Sequence, residues 1–272
     1  MARTAEEIAS DLRRQIREGE LRGGSPLPRV SALTELHGVA KQTVRTAIET
    51  LKAEGLVENR GGRAGNVVRV RPPRRRIEAR TRGVYRDEVG YYFDEAAKDW
   101  SWLRPAVVEH RPASADIAEF LGIEEGGDVL VRDRLVGVPD AVELRQASTS
   151  YLPSWLLREL PVVTQLDTGP GGIYDRIEET YGALTWREEV TSRAPSPEEA
   201  RELALPAGVP VLVVTRITST RKGRVVEVTE VRVSAERWSI SYPLRRTASA
   251  HWPVVPATAQ NLTPADTPAD DA

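Results

Sequence analysis

The chain of 272 residues contains no cysteine, only three histidines and a single methionine. The missing cysteine excludes disulfide frameworks, thiolate metal sites and cysteine nucleophiles at once. His37, His110 and His251 are too scattered for a helical metal pair or a zinc finger. No run approaches the roughly 18 apolar residues that span a bilayer, and the amino terminus MARTAEEIASDLRRQI lacks the apolar region of a signal peptide. The expectation is a cytoplasmic protein with no membrane partner, no metal and no cofactor. Hydrophobic residues make up 40% and charged residues 29%, ordinary values for a folded chain, so wholesale disorder is excluded.

Neither sign of charge dominates, since 38 Lys plus Arg face 40 Asp plus Glu, but the balance hides a division. Residues 1–80 carry 17 basic and 10 acidic side chains, and residues 81–272 carry 21 and 30. A basic segment of net +7 is joined to an acidic one of net −9. The length suits about two domains.

In the basic segment, Thr4 followed by Glu7 forms a capping box, and Ile8, Leu12 and Ile16 recur at four-residue intervals, which predicts a helix over 5–18 stopped by Gly19. Gly23 to Pro28 reads as a rigid turn. Val30, Leu33 and Leu36 suggest a short second helix closed by Gly38, and Lys41 to Ala53 a third. At about 100° per residue, Val44, Ala47, Ile48 and Leu51 fall on one face of this third helix, and Lys41, Gln42, Arg45, Thr46 and Glu49 on the other. Two strand candidates, Leu56 to Glu58 and Val67 to Val70, flank a basic glycine-rich tip. Three helices followed by a hairpin describe a winged helix-turn-helix over residues 1–71. Residues 72–80, with two prolines and several arginines, read as a basic linker.

From 81 to 246, strand patterns lie near 84–92, 105–111, 128–137, 142–151, 186–194, 210–219 and 224–233. Helix patterns lie near 114–121, 153–159, 172–181 and 196–204. Strands adjacent in sequence favour an antiparallel sheet with helices on one face, so the fold class is α+β. Residues 247–272, rich in Ala, Pro, Thr and Asp, read as a disordered tail.

Gly24 to Pro28 (GSPLP), Gly38 to Ala47 (GVAKQTVRTA) and Leu51 to Val57 (LKAEGLV) resemble, in order and spacing, the DNA-binding domain of the GntR family of bacterial transcription regulators. The second segment resembles the UTRA effector-binding module of the HutC branch, whose fold is similar to chorismate lyase. That resemblance rests on Val129 to Arg134 (VLVRDR), Thr149 to Pro153 (TSYLP), Gly171 to Tyr174 (GGIY), Gly208 to Leu212 (GVPVL) and the Val226-Glu227 strand. It implies a homodimeric regulator of a double-stranded DNA operator, most simply a repressor, controlled by a small-molecule effector. Two positions depart from the family pattern. Ala40 stands where Ser usually caps the third helix, and Ser31 stands where an Arg is frequent, with Arg29 two residues earlier.

An α-helix fits the major groove, where Arg places two donors on guanine and Gln brackets adenine. Arg45 is the candidate base reader, with Lys41, Gln42 and Thr46 on its face. Arg29, Thr43 and, in the wing, Arg60, Arg63 and Gly65 complete the DNA-binding set implied by the resemblance. A merely solvated helix face is the alternative.

Two-residue periodicity puts Arg132 and Arg134 on one strand face, where paired guanidinium groups suit an anion. Relatives that recognise sugar phosphates place a Ser-x-Tyr beside these arginines. Here Tyr174 matches, while Gly172 takes the Ser position. Glu227 shares a face with Val225, Thr229, Val231 and Val233 and needs a partner if buried, either the effector or Arg216. Tyr85, Tyr91, Tyr92, Phe93, Trp100 and Trp102 read as core packing, with a pocket wall shared with Tyr151 as the alternative. The second segment offers no nucleophile, metal cluster or acid–base pair of an enzyme. A constitutive repressor of mobile-element or transfer genes, with no functional pocket, is the other regulator reading.

Overall fold

The structure is a computed structural model that describes residues 3–62, 65–71, 75–78, 83–87, 90–93, 100–241 and 244. Thr4 and Glu7 form both bonds of the capping box at the start of α1 (Ala5–Glu18), and Gly19 closes that helix in the left-handed conformation. α2 (Val30–His37) and α3 (Lys41–Ala53) follow, separated by Gly38, Val39 and Ala40. Ile8 and Leu12 of α1, Leu33 of α2, and Val44, Ile48 and Leu51 of α3 share one buried core with Leu27, Val57 and Val68. Arg13 donates to both carboxylate oxygens of Glu54, at 2.9 and 2.6 Å, and so fastens α1 to the end of α3.

Strands β1 (Val57–Asn59) and β2 (Asn66–Val68) form the antiparallel wing. The Gly23–Pro28 turn lies along β2: the Gly24 amide donates to Val68 and the Leu27 amide to Asn66, each at 2.8 Å. Pro26 bridges Val67 antiparallel, so the end of the turn lies beside β2.

The remaining elements are β3 (Arg75–Glu78), β4 (Tyr85–Arg86), β5 (Tyr91–Tyr92), β6 (Ser101–Trp102), β7 (Val107–Pro112), α4 (Ala115–Leu121), β8 (Asp128–Val138) and β9 (Ala141–Pro153). They continue with α5 (Ser154–Glu159), a 3-10 turn (Pro161–Thr164), α6 (Gly172–Tyr181), β10 (Leu184–Arg193), α7 (Pro197–Glu202), β11 (Val211–Thr220), β12 (Val225–Ser234) and β13 (Trp238–Ser241). An antiparallel sheet runs β10-β11-β12-β9-β8, and the outer side of β8 pairs with β7 and β6 in turn. Residues 75–78, inside the segment expected to be a linker, pair in parallel with β13. The stretch expected to be one strand over 84–92 is instead two short strands, β4 and β5, paired with each other. Residues 247–272 lie outside the described residues.

Helices cover both faces of the sheet, where one face was expected. Leu130, Leu152 and Val163 pack with Ile177 of α6 and Leu156 of α5, whereas Val129, Val131 and Val228 pack with Ile117, Ala118 and Leu121 of α4. Leu135, Ala147 and Val213 meet Leu203, the residue after α7, on the α4 side. Alternate strand residues point to opposite faces, so the near-continuous apolar run Val129-Leu130-Val131 reports burial on both.

Candidate DNA-reading face and effector cavity

Burial on α3 follows the helical wheel. Val44, Ala47, Ile48 and Leu51 are buried, Lys41, Gln42, Arg45 and Thr46 are exposed, and Thr43 is half-buried between the two faces. Neither Lys41 nor Arg45 has a carboxylate partner among the described residues. The Thr46 hydroxyl donates to the Gln42 carbonyl at 3.0 Å and is therefore held by its own helix. Ala40 is extended and gives α3 no side-chain cap, so the first-turn amides lack the acceptor that a Ser hydroxyl would supply. Arg29 sits exposed at the start of α2.

In the wing, the Arg60 guanidinium rests on Glu58 at 2.7 Å, while the Arg60 amide donates to the Gly65 carbonyl at 2.9 Å. Gly65 adopts φ +58°, open to glycine without strain, and an added Cβ there would meet no atom within 4 Å. Arg63 lies outside the described residues.

The second segment holds a partly open cavity of about 290 Å³ whose floor is the face of the sheet that carries α5 and α6. Register builds this floor in rows. Arg134, Ser148, Val231 and Val214 lie side by side on β8, β9, β12 and β11, and Arg132, Ser150, Thr229, Arg216 and Glu188 form the next row. Tyr91, Tyr92, Phe93 and Trp102 form the wall, with Ile173 and Tyr174 of α6 completing it. The β4–β5 hairpin is pinned to α6 by an Arg86–Asp175 ion pair, by the Tyr91 hydroxyl donating to Glu178 at 2.5 Å, and by the close approach of Gly90 to Gly171.

Three of the five expected effector residues line this cavity: Arg134, Tyr174 and Glu227. Arg134 donates to the Ser150 hydroxyl at 2.7 Å, its Nε is buried without a hydrogen bond, and it has no carboxylate partner among the described residues. Glu227, 1% exposed, accepts from the Tyr174 hydroxyl and, at 3.4 Å, from Thr218. Burial, reinforced by this neighbouring carboxylate, raises the Tyr174 phenol well above its ordinary pKa, so Tyr174 stays a donor.

The other two do not line it. Arg132 shares the face of Arg134, but its guanidinium donates to the carbonyls of Val163, Gln165 and Leu166 at 3.1, 2.6 and 2.9 Å. It clamps the 3-10 turn, and burial lowers its pKa. The Gly172 amide donates to the Gly169 carbonyl at 3.1 Å, closing the turn into α6, and Ile173 takes the place on the cavity wall.

Arg216 is not the partner of Glu227. It donates to Glu188 at 3.0 and 2.8 Å and stacks on the Phe93 ring, 3.4 Å from its centre. Val225 leaves the face of Glu227 because the register shifts at Thr218/Ser219. Val225 packs with the α4 cluster, while Val226 and Glu227 both reach the α6 side. Tyr151 points to the α4 face, where its hydroxyl donates to Glu230 at 3.3 Å. The aromatic run divides: four members line the cavity, Tyr85 stacks on Tyr92, and Trp100 packs on Trp238. Gln146, unnamed in the sequence reading, also lines it, as does Thr229, named there only as sharing the face of Glu227. Their signal was strand parity with Ser148 and Glu227.

Residues 4–67 match the model for bacterial regulatory proteins of the gntR family, and residues 106–239 match the UTRA domain. An uncharacterised HTH-type transcriptional regulator of Streptomyces coelicolor is 33% identical over 254 residues, which cover 90% of this chain and 93% of the relative. The chain belongs to the GntR family. This GntR-family chain is a DNA-binding transcriptional regulator with a UTRA domain, of the HutC branch, and not an enzyme. It is 26% identical to the HTH-type transcriptional repressor NagR of Bacillus subtilis, over 88% of this chain and 94% of NagR. A crystal structure of a GntR-family transcriptional regulator superposes with a TM-score of 0.62 at 31% identity, covering 89% of this chain and 98% of that one. Among the described residues, no helix is long and apolar enough to cross a membrane.

Proposed function

We propose that the protein is a homodimeric repressor whose α3 reads an operator in the major groove and whose affinity for it is set by a small molecule in the 290 Å³ cavity. Residues 1–71 form the reader and 81–246 the sensor. Lys41, Gln42, Arg45 and Arg29 turn to the duplex polar side chains that have no partner among the described residues, and Thr43, Thr46, Arg60, Arg63 and Gly65 complete the interface. The likeness to NagR supports the sign of regulation.

The observation that carries the effector reading is Arg134, a guanidinium on the cavity floor with a buried Nε that has no hydrogen-bond partner among the described residues. An unpaired buried donor is costly, so the site favours an anionic group there. Glu227 and Tyr174 offer the polar contacts at the α6 end, and the aromatic wall takes the apolar body of the ligand. Calorimetry of the intact protein with a panel of small carboxylates and sugar phosphates tests this. Saturable binding by a member of the panel, lost in Arg134→Ala, supports it. A panel that binds nothing leaves the effector-free repressor as the reading.

A further inference from the structure

Among the described residues, the DNA-binding head meets the sensor where β11 begins and β12 ends. Arg69, at the end of the wing, donates through Nη1 and Nη2 to the two carboxylate oxygens of Glu236 at 2.5 and 2.6 Å, and through Nε to the Gly55 carbonyl at 2.6 Å. Both partners of the ion pair are nearly buried, with side chains 7% and 9% exposed. Beside this pair, Gly55 lies against the Ala207 carbonyl so closely that a Cβ would stand 2.6 Å from its oxygen. A Cβ on Gly208 would in turn collide with the Ala53 carbonyl. The end of the reading helix therefore touches the sensor backbone to backbone.

These sensor residues are the two ends of one hairpin. Gly208 stands just before β11 and Glu236 just after β12, and the Ala235 amide donates to the Pro210 carbonyl at 3.1 Å to hold those ends together. The middle of the same hairpin floors the cavity through Val214 and Arg216 of β11 and Glu227, Thr229, Val231 and Val233 of β12. Gly208 and Val214 are separated by about 20 Å of extended chain, and Glu236 is only three residues beyond Val233. Trp238, in the strand that follows Glu236, is buried against Val233 and Trp100. Next to this region, β3 pairs in parallel with β13.

We infer that the open end of the β11–β12 hairpin is a latch that fixes the orientation of the DNA-binding head, and that an occupant of the cavity acts on the head by shifting this hairpin. The second clause rests on the effector reading above; the latch itself does not. Arg69 is a positioning residue, buried away from the α3 reading face, and Glu236 is its counter-charge. A ligand that displaces β11 or β12 tilts a backbone contact and an ion pair with little slack, which is how small shifts become rigid-body changes.

The chain has no cysteine, so spin labels are placed uniquely with Glu35→Cys on α2 and Lys222→Cys at the exposed hairpin turn. Pulsed electron spin resonance on the full chain, diluted into unlabelled protein, reads the distance between head and sensor. The latch gives one narrow distribution, and Glu236→Lys, which sets a third cation beside Arg69 and beside Arg71, whose Nε lies 3.7 Å from Glu236, broadens it by about twofold or more. Arg69→Gln is the second variant if Glu236→Lys does not fold. An unchanged distribution in the folded variant overturns the latch.

Val231→Phe, or Val214→Phe in the same row, serves as a fixed occupant of the cavity without any ligand. It shifts the distribution in the latched chain if the hairpin transmits the change, and a distribution that stays put overturns that transmission. Failure here leaves the calorimetric test of the cavity untouched, and a cavity that binds nothing in calorimetry leaves the latch standing.

Discussion

Arg132 and Arg134 stand two residues apart on one face of β8, and only Arg134 reaches the cavity; Arg132 is turned onto the carbonyls of Val163, Gln165 and Leu166. Their replacements should have opposite consequences. Arg132→Met leaves three carbonyls without their donor and is expected to lower unfolding stability by about 2–3 kcal/mol. Arg134→Met removes an unsatisfied buried Nε and is expected to change stability by less than about 0.5 kcal/mol or to raise it. Urea titrations of the two variants check this, and equal losses would contradict the division of roles.

Ala40 offers a second test. Its extended backbone at the start of α3 is the conformation of an N-cap residue, but its side chain accepts nothing. Ala40→Ser supplies the missing oxygen and is expected to stabilise the head by about 1 kcal/mol. Thermal unfolding should move upward by a few degrees, and a midpoint that falls would show that the cap geometry is not available.

A third prediction concerns acid. Glu199 is the N3 residue of the capping box of α7 and accepts two bonds from Arg193 at 2.7 Å each, which hold its pKa down at about 2. The folded pKa is below the unfolded one, so this contribution is complete above about pH 4.5 and is lost as the pH falls from there towards 2. Arg193 is about half exposed, so solvent screening limits the contribution to roughly 1–2 kcal/mol. Glu199→Gln should flatten that part of the stability profile while lowering stability at pH 7. A profile that keeps its wild-type slope between pH 4.5 and 2 would remove Glu199 from the account.

The head was legible in the sequence because local signals agreed there: the Thr4–Glu7 capping box, the apolar arc of α3 and the glycine stops all act within a few residues. The strands β8 to β12 were legible through alternation. What the sequence could not reveal was set by long-range contact. Arg132 and Arg134 have the same strand parity, and only the 3-10 turn, some 30 residues on, draws one of them away. The bulge that turns Val225 from the face of Glu227 leaves no composition mark. Helices on both faces were implied by the apolar run at Val129–Val131, a pattern that alternation alone passes over.

Reading of DNA by α3 is the central claim, and the most direct measurement is selection of bound duplexes from a random pool by the wild-type chain and by Arg45→Ala at one fixed salt concentration. The wild type should enrich a two-fold or repeated motif. The variant should bind that motif about 1–3 kcal/mol more weakly and relax the preference at one base position in each half-site. An identical motif recovered with unchanged affinity by Arg45→Ala would contradict the assignment of α3 as the reader.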